Sequence, residues 1–238
     1  MIVRFLPVVA LVLFTLVTSS CRRMAEESNT PVLQEMAPPS TSSIDTLLDE
    51  SMPPTDTAVV TQRVKVATSM GTFVIGLYGA DAPITVKNFV GLVKKKFYDG
   101  MLVHRVSRDY LVQMGDPFTK DPSLRNAWGR GGATATGDAL PVEIDATTPS
   151  ARAGYDVGVV AMARRLDDDK SGTSQFFICL EKAKVVKHDF TIFGKVIDGM
   201  DVVMRMNGVA VEPSPLDDND GIPVTPIEIR RVTLLPTR

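Results

Sequence analysis

Apolar and polar residues alternate through TQRVKVATS, beginning at Thr61, and again through TFVIGLYG, beginning at Thr72. Met70-Gly71 lies between the two runs, so together they predict a β-hairpin. The period then changes. Asp81 stands where a helix cap belongs, Pro83 falls in the first turn, and Val86, Phe89, Val90 and Val93 recur at helical spacing. That stripe should lie on a sheet or plug the end of a barrel. Lys94, Lys95 and Lys96 close the helix where cations favour its dipole, and Asp99-Gly100 turns the chain out of it. Further strands are predicted over 102–106, 110–114, 157–162, 176–180 and 190–197, followed by a short helix in GMDVVMRM and a last strand in PIEIRRVTLL. About eight strands with two helices and no βαβ alternation predict a mainly β domain, either a closed antiparallel barrel or a sandwich. Residues 115–156 are rich in Gly, Pro, Thr and Asp and too long for a passive connection, which marks them as a functional loop.

The N-terminus reads differently. MIVRFLPVVALVLFTLVTSSC carries one basic residue, an apolar run from Phe5 to Val17, and then small polar residues, the pattern of an export signal. LVTSSC resembles a lipobox, at which bacterial lipoproteins are cleaved and acylated on cysteine, although Thr18 stands where Leu is usual. Cys21 is therefore the expected lipidation site. Plain secretion and an uncleaved anchor are the alternatives, and Arg22-Arg23 outside the membrane would oppose the anchor. Residues 22–60 are rich in Pro, Ser, Thr and acids and have no sustained period, so they read as a flexible tether. The expected organisation is a signal over 1–21, a tether over 22–60 and one folded domain over 61–238. It implies a lipoprotein of the cell envelope, anchored to a membrane and facing the periplasm or the exterior.

Composition narrows the chemistry. A formal net charge of −2 over 238 residues offers no basic field for nucleic acid. Cys21 and Cys179 are too few for a disulfide framework, and His104 and His188 belong to no cluster with zinc-ligand spacing, so no metal is expected. Several bland readings hold. Cys179 should be an inert buried thiol, His188 an exposed turn residue, and GRGG (129–132) a flexible loop. DDNDG (217–221) reads as a turn, because a Gly at the sixth place of a calcium loop would put Leu216 first. A His104–Asp116–Ser174 triad is rejected, since no nucleophile elbow or oxyanion loop surrounds Ser174. What stands out is LVHRVSRDYLVQMGDP (102–117), in which Arg105 and Gln113 interrupt two apolar runs.

Those runs belong to an ordered set. DAPITVKNFVGLVKKKFYDG, VHRV, QMGDP, GVVAMAR, GTSQFFICL and FTIFGKVIDGMDVV follow one another as they do in the cyclophilins, the family of peptidyl-prolyl cis–trans isomerases. The resemblance covers residues 62–238 and is nearest to bacterial members. It implies a closed eight-stranded antiparallel β-barrel capped by two helices. It also implies an isomerase active as a monomer without a cofactor, whose partners are proline-containing segments of unfolded or exported proteins. The family's catalytic arginine falls on Arg105 and its glutamine on Gln113. Substrate contacts fall on Tyr110, Leu111, Ala163, Arg164, Phe177, Val186 and Phe190. The match thins where Val185 and Val186 replace the family's Trp (or bulky residue) and Leu, Lys187-His188 replaces a DG turn, and Phe190 replaces a pocket His or Tyr. This altered wall keeps a second reading open, a proline-binding module or chaperone with weak or no catalysis.

The implied chemistry suits those residues. The X–Pro amide resists rotation by about 18–20 kcal/mol because the nitrogen lone pair is delocalised into the carbonyl. A guanidinium aimed at that nitrogen finds the lone pair fully available only in the twisted state, so it stabilises the transition state selectively. Gln113 can hold the substrate backbone, while Tyr110, Leu111 and Phe177 form an apolar slot for the proline ring.

Overall fold

The structure, a computed structural model, describes residues 57–165, 167–168, 170–181, 190–214 and 217–236. The first hairpin forms as the alternation predicts. β1 (Gln62–Thr68) and β2 (Gly71–Leu77) pair antiparallel from Gln62↔Leu77 to Thr68↔Gly71, and Val64, Val66, Phe73 and Ile75 are buried. Thr68 closes the turn, its hydroxyl donating to Gly71 O (2.8 Å) and accepting from Met70 N (3.1 Å). Gly71 has φ +133°, a backbone region that side chains rarely adopt.

The helix α1 (Pro83–Lys94) follows, with Val86, Phe89, Val90, Leu92 and Val93 buried. Its cap differs from expectation. Ala82 occupies the N-cap, and Asp81 instead accepts from Ser150 N (2.9 Å). Glu143, distant in sequence, takes the capping role. Its carboxylate accepts from Ile84 N (2.9 Å), Thr85 N (2.7 Å) and Thr85 Oγ1 (2.7 Å). A carboxylate there satisfies otherwise orphaned donors and complements the helix dipole.

The remaining strands are β3 (Met101–Leu102), β4 (Arg105–Ser107), β5 (Leu111–Met114), β6 (Val159–Met162), β7 (Phe176–Cys179), β8 (Ile192–Asp198), β9 (Val211–Ser214), β10 (Asp217–Pro223) and β11 (Glu228–Leu234). They form one antiparallel sheet in the order β3-β11-β1-β2-β8-β6-β7-β5-β4-β10-β9. Its ends, β3 and β9, do not pair, so the expected closed eight-stranded barrel is instead a curled, open sheet of eleven strands. Among the described residues two further α-helices accompany α1: α2 (Pro149–Ala153) and α3 (Met200–Asn207).

Two local features account for the difference. The single strand predicted over 102–106 changes partner midway: Val103 N bonds to Ile227 O while His104 N bonds to Gln113 O. The acidic segment DDNDG, expected as a turn, lies in β10 and pairs with β4 through Asp220↔Ser107 and Gly221↔Val106. Gly221 is required there, because a Cβ would lie 1.8 Å from Glu212 O across the β9–β10 hairpin.

Period 2 divides the sheet into two faces. Val106, Val112, Met114, Phe176 and Ile178 enter the main core, where Phe89, Tyr98, Phe176 and Phe193 stack with centroids 5.2–6.2 Å apart. Each such fully buried side chain contributes roughly 1.5–3 kcal/mol. Leu111, Ala161, Phe177 and Cys179 point the other way, into a smaller apolar cluster with Tyr155 and Ile192. That second face carries the candidate site.

Candidate active site

The register aligns the central residues in one row. Arg105 pairs with Gln113 across β4–β5, Gln113 with Phe177 across β5–β7, and Phe177 with Ala161 across β7–β6. Partners in a row face the same side of a sheet. The guanidinium, the amide and the aromatic ring named from the sequence are thus neighbours.

Polar contacts run along the row. Arg105 Nη1 donates to Gln113 Oε1 (3.3 Å), and Gln113 Nε2 donates to Gln175 Oε1 (2.9 Å). Gln175 Nε2 in turn donates to Gly129 O (3.0 Å) and Gly131 O (2.6 Å). On its other side Arg105 meets Asp220: Nε donates to Oδ1 (2.9 Å) and Oδ2 (3.1 Å), and Nη2 to Oδ2 (2.6 Å). The arginine side chain remains 41% exposed and Asp220 15%. Hydrogen bonding to Asp220 raises the arginine pKa, against the opposing effect of burial, so the group is a permanent cation.

The apolar slot lies beside this cation. Leu111 and Phe177 are buried, and Phe190 meets the Phe177 ring edge-on at 5.3 Å. Tyr155 anchors Phe190 from behind, its hydroxyl donating to Phe190 O (2.7 Å) and accepting from Phe190 N (2.9 Å). Tyr110 is 37% exposed, and its backbone is fixed by Tyr110 N to Ser107 O and Leu180 N to Tyr110 O. Ala163 packs partly buried against the same cluster, and the Arg164 guanidinium lies 5.8 Å from the Phe190 ring centroid. A cavity of about 560 Å³ adjoins, lined by Gln113, Arg130, Ala163, Arg164, Ser171 and Gln175 among others. Val185, Val186, His188 and Cys21 lie outside the described residues.

The loop after β5 is built, not flexible, around Asp116. Its carboxylate is fully buried and accepts from Phe118 N (2.8 Å), Gly129 N and Gly131 N (3.3 Å). The GRGG segment is thereby held where its carbonyls receive Gln175. A Cβ on Gly131 would lie 2.2 Å from Asp116 Oδ1, so glycine is needed for this approach.

His104, Asp116 and Ser174 form no hydrogen-bonded triad. Ser174 Oγ donates to Gly115 O (2.7 Å) and accepts from Ala133 N (3.3 Å). Both ring nitrogens of His104 are buried and make no hydrogen bond of ordinary geometry, and burial lowers its pKa to about 4 against the opposing pull of Asp116 and the Gln175 side chain. Cys179 is buried, which pushes its thiol up to about 12. Among the described residues, no group of three or more His, Cys, Asp or Glu could hold a metal ion, and no helix is long and apolar enough to cross a membrane.

Sequence reasoning missed Gln175, Tyr155 and Asp220. Gln175 was findable: it sits two residues before Phe177 and shares its strand face by alternation. Asp220 carried no signal beyond an acidic run.

Comparison with known proteins agrees with this geometry. Residues 63–234 match the family model of the cyclophilin type peptidyl-prolyl cis-trans isomerases. The peptidyl-prolyl cis-trans isomerase ppi1 of Schizosaccharomyces pombe is 33% identical over 173 residues, covering 73% of this chain and 99% of the relative. A peptidyl-prolyl cis-trans isomerase-like 1 protein of Mus musculus is 34% identical over 158 residues, covering 66% and 87%. Among solved structures, a cyclophilin type isomerase of Cryptosporidium parvum superposes with a TM-score of 0.63 at 24% identity, covering 74% of this chain and 99% of that one. The same protein in the presence of the dipeptide Ala-Pro gives 0.62. The chain belongs to the cyclophilin type peptidyl-prolyl cis-trans isomerases, enzymes that exchange the cis and trans forms of the X–Pro peptide bond.

Proposed function

We propose that Arg105 is the catalytic cation of this isomerase and that its clients are exported proteins. The observation that carries the catalytic assignment is the single row Arg105–Gln113–Phe177, a cation and an amide beside an apolar slot. A proline ring seated on Leu111, Phe177 and Phe190 would bring its nitrogen toward the guanidinium, and the Gln113 amide would hold the peptide backbone. As the bond twists, the nitrogen becomes pyramidal and accepts a hydrogen bond that the planar ground state cannot match. The Ala-Pro dipeptide used with the Cryptosporidium protein supports short extended proline peptides as ligands. Arg105→Ala should lower kcat by about a hundredfold or more in an exchange assay on an Ala–Pro peptide. Activity equal to wild type would remove Arg105 from the chemistry.

The leader and its LVTSSC end support export with acylation at Cys21, and the composition of 22–60 supports a tether. Together they support an isomerase domain held outside the cytoplasm on a membrane anchor. Cys21→Ala should release the protein from membranes and abolish incorporation of labelled fatty acid. The second reading, proline binding with little turnover, draws on Asp220, whose carboxylate lies 2.6 Å from the cation and offsets its charge. The exchange assay separates the two: tight peptide binding with no acceleration over buffer supports the binding module.

A further inference from the structure

The grip of Asp220 on Arg105 is more specific than charge neutralisation requires. Arginine has five N–H donors in one plane. Asp220 takes Nε–H and one hydrogen of Nη2 in a side-on, two-point contact, and Gln113 takes one hydrogen of Nη1. Among the described residues two of its N–H groups remain without an acceptor, one on each terminal nitrogen. A side chain with several rotatable bonds is thus pinned at both edges, and only its outer donors are left to meet a substrate.

The placement of Asp220 is itself constructed. Its strand, β10, is laid on β4 directly beside Arg105 through Asp220↔Ser107, and Arg108 N bonds to Asn219 O next to it. The β9–β10 hairpin that delivers it is braced from the far side. Arg125 Nη2 pairs with Glu212 at 2.7 Å while the same guanidinium lies 4.9 Å from the Trp128 ring. The hairpin is therefore tied both to the strand that carries the cation and to the loop that carries Gly129 and Gly131.

We infer that Asp220 is a positioning residue for the isomerase reaction: it fixes the plane of the Arg105 guanidinium so that the two uncommitted donors are preset for the twisted prolyl nitrogen. The inference rests on Arg105 being the catalytic cation. Its energetic logic is preorganisation, since a donor already held in place need not be ordered during bond rotation, and a misplacement of about 1 Å can cost a hundredfold in rate. The gain from orientation outweighs the charge that the carboxylate withdraws.

The test uses Asp220→Asn and Asp220→Ala in the full chain, with an Ala–Pro peptide followed by exchange NMR. Neither substitution touches the backbone pairing with Ser107, and the alanine variant introduces no new polar group. Both variants should lose kcat by about tenfold or more with KM within about twofold of wild type. The Arg105 Nε–Hε resonance should exchange slowly with water in the wild type, where Asp220 holds it, and become fast-exchanging in both variants. A kcat equal to or above wild type overturns the inference. So does a slower variant whose Nε–Hε signal is unchanged, because the loss would then not act through Arg105. Full activity of Arg105→Ala would instead overturn the catalytic assignment itself, whatever Asp220 does.

Discussion

Replacing His104 with phenylalanine removes a titratable ring from the strand segment that leads into Arg105. In the wild type the ring is buried, neither nitrogen makes a hydrogen bond of ordinary geometry, and burial lowers the pKa from 6.5 to about 4 although Asp116 and the Gln175 side chain favour the charged ring. In the unfolded chain the same ring titrates near 6.5. Between those two values only the unfolded state carries the proton, so unfolding takes one up. Stability therefore falls as pH drops through this window, by about 1.4 kcal/mol per pH unit. Above it neither state is protonated, and below it both are, so the contribution is flat on either side.

Integrated from about pH 7 to pH 4.5, the loss attributable to His104 is about 2.5 kcal/mol. His104→Phe forfeits at most a weak contact with the Gln175 side chain, so at pH 7 its stability should stay within about 1.5 kcal/mol of wild type. Urea unfolding across this range, read by the fluorescence of Trp128, gives both curves. Carboxylates elsewhere titrate equally in the two proteins and cancel in the difference. The wild type should lose its advantage or fall behind as pH decreases, and the two curves should diverge by that amount. Parallel curves would mean that His104 is solvated or partnered in solution, and the electrostatic reasoning would fail.

Two further outcomes follow from buried groups. Asp116→Ala should destabilise the domain by about 3 kcal/mol or more, because the N–H groups of Phe118, Gly129 and Gly131 lose their shared acceptor; a change in urea stability below about 1 kcal/mol would contradict that role. Cys179, with its thiol pushed up to about 12, should not react with a disulfide reagent near pH 8 until urea exposes it, and prompt reaction of the folded protein would show the cluster around Phe177 to be open.

Much of this site is legible in the sequence, for a physical reason. Arg105 and Gln113 interrupt apolar runs, Phe177 is marked by the resemblance of SQFF to the family's motif, and strand pairing brings the three together. Helix α1 was legible through its stripe of Val86, Phe89, Val90 and Val93. Its cap was not: Asp81 has the right residue type in the right place, but Glu143 reaches the same N–H groups from 58 residues or more away and satisfies three donors at once. Local propensity cannot foresee a long-range competitor. The open sheet was hidden for a related reason. Residues 217–221 are all polar or glycine, so they show no strand period, and β10 exists because its backbone completes the edge of β4.

The position of the Arg105–Gln113–Phe177 row is enforced less by its own contacts than by the core behind it. Val106, Val112, Met114, Phe176 and Ile178 occupy the alternate positions of the strands that carry Arg105, Gln113 and Phe177, and all are buried in the main core. A slip of one residue in β4 or β5 would turn that strand's apolar residues out of the main core and drive the guanidinium or the amide inward. The first part of that exchange forfeits roughly 1.5–3 kcal/mol for each large side chain exposed. The second adds several kcal/mol for an unpaired buried cation. Register is thus held by terms far larger than the hydrogen bond between Arg105 and Gln113, which joins residues already made neighbours. What the core cannot fix is the rotation of a long side chain about its own bonds. That remaining freedom is where Asp220, delivered by a hairpin outside the core, has its effect.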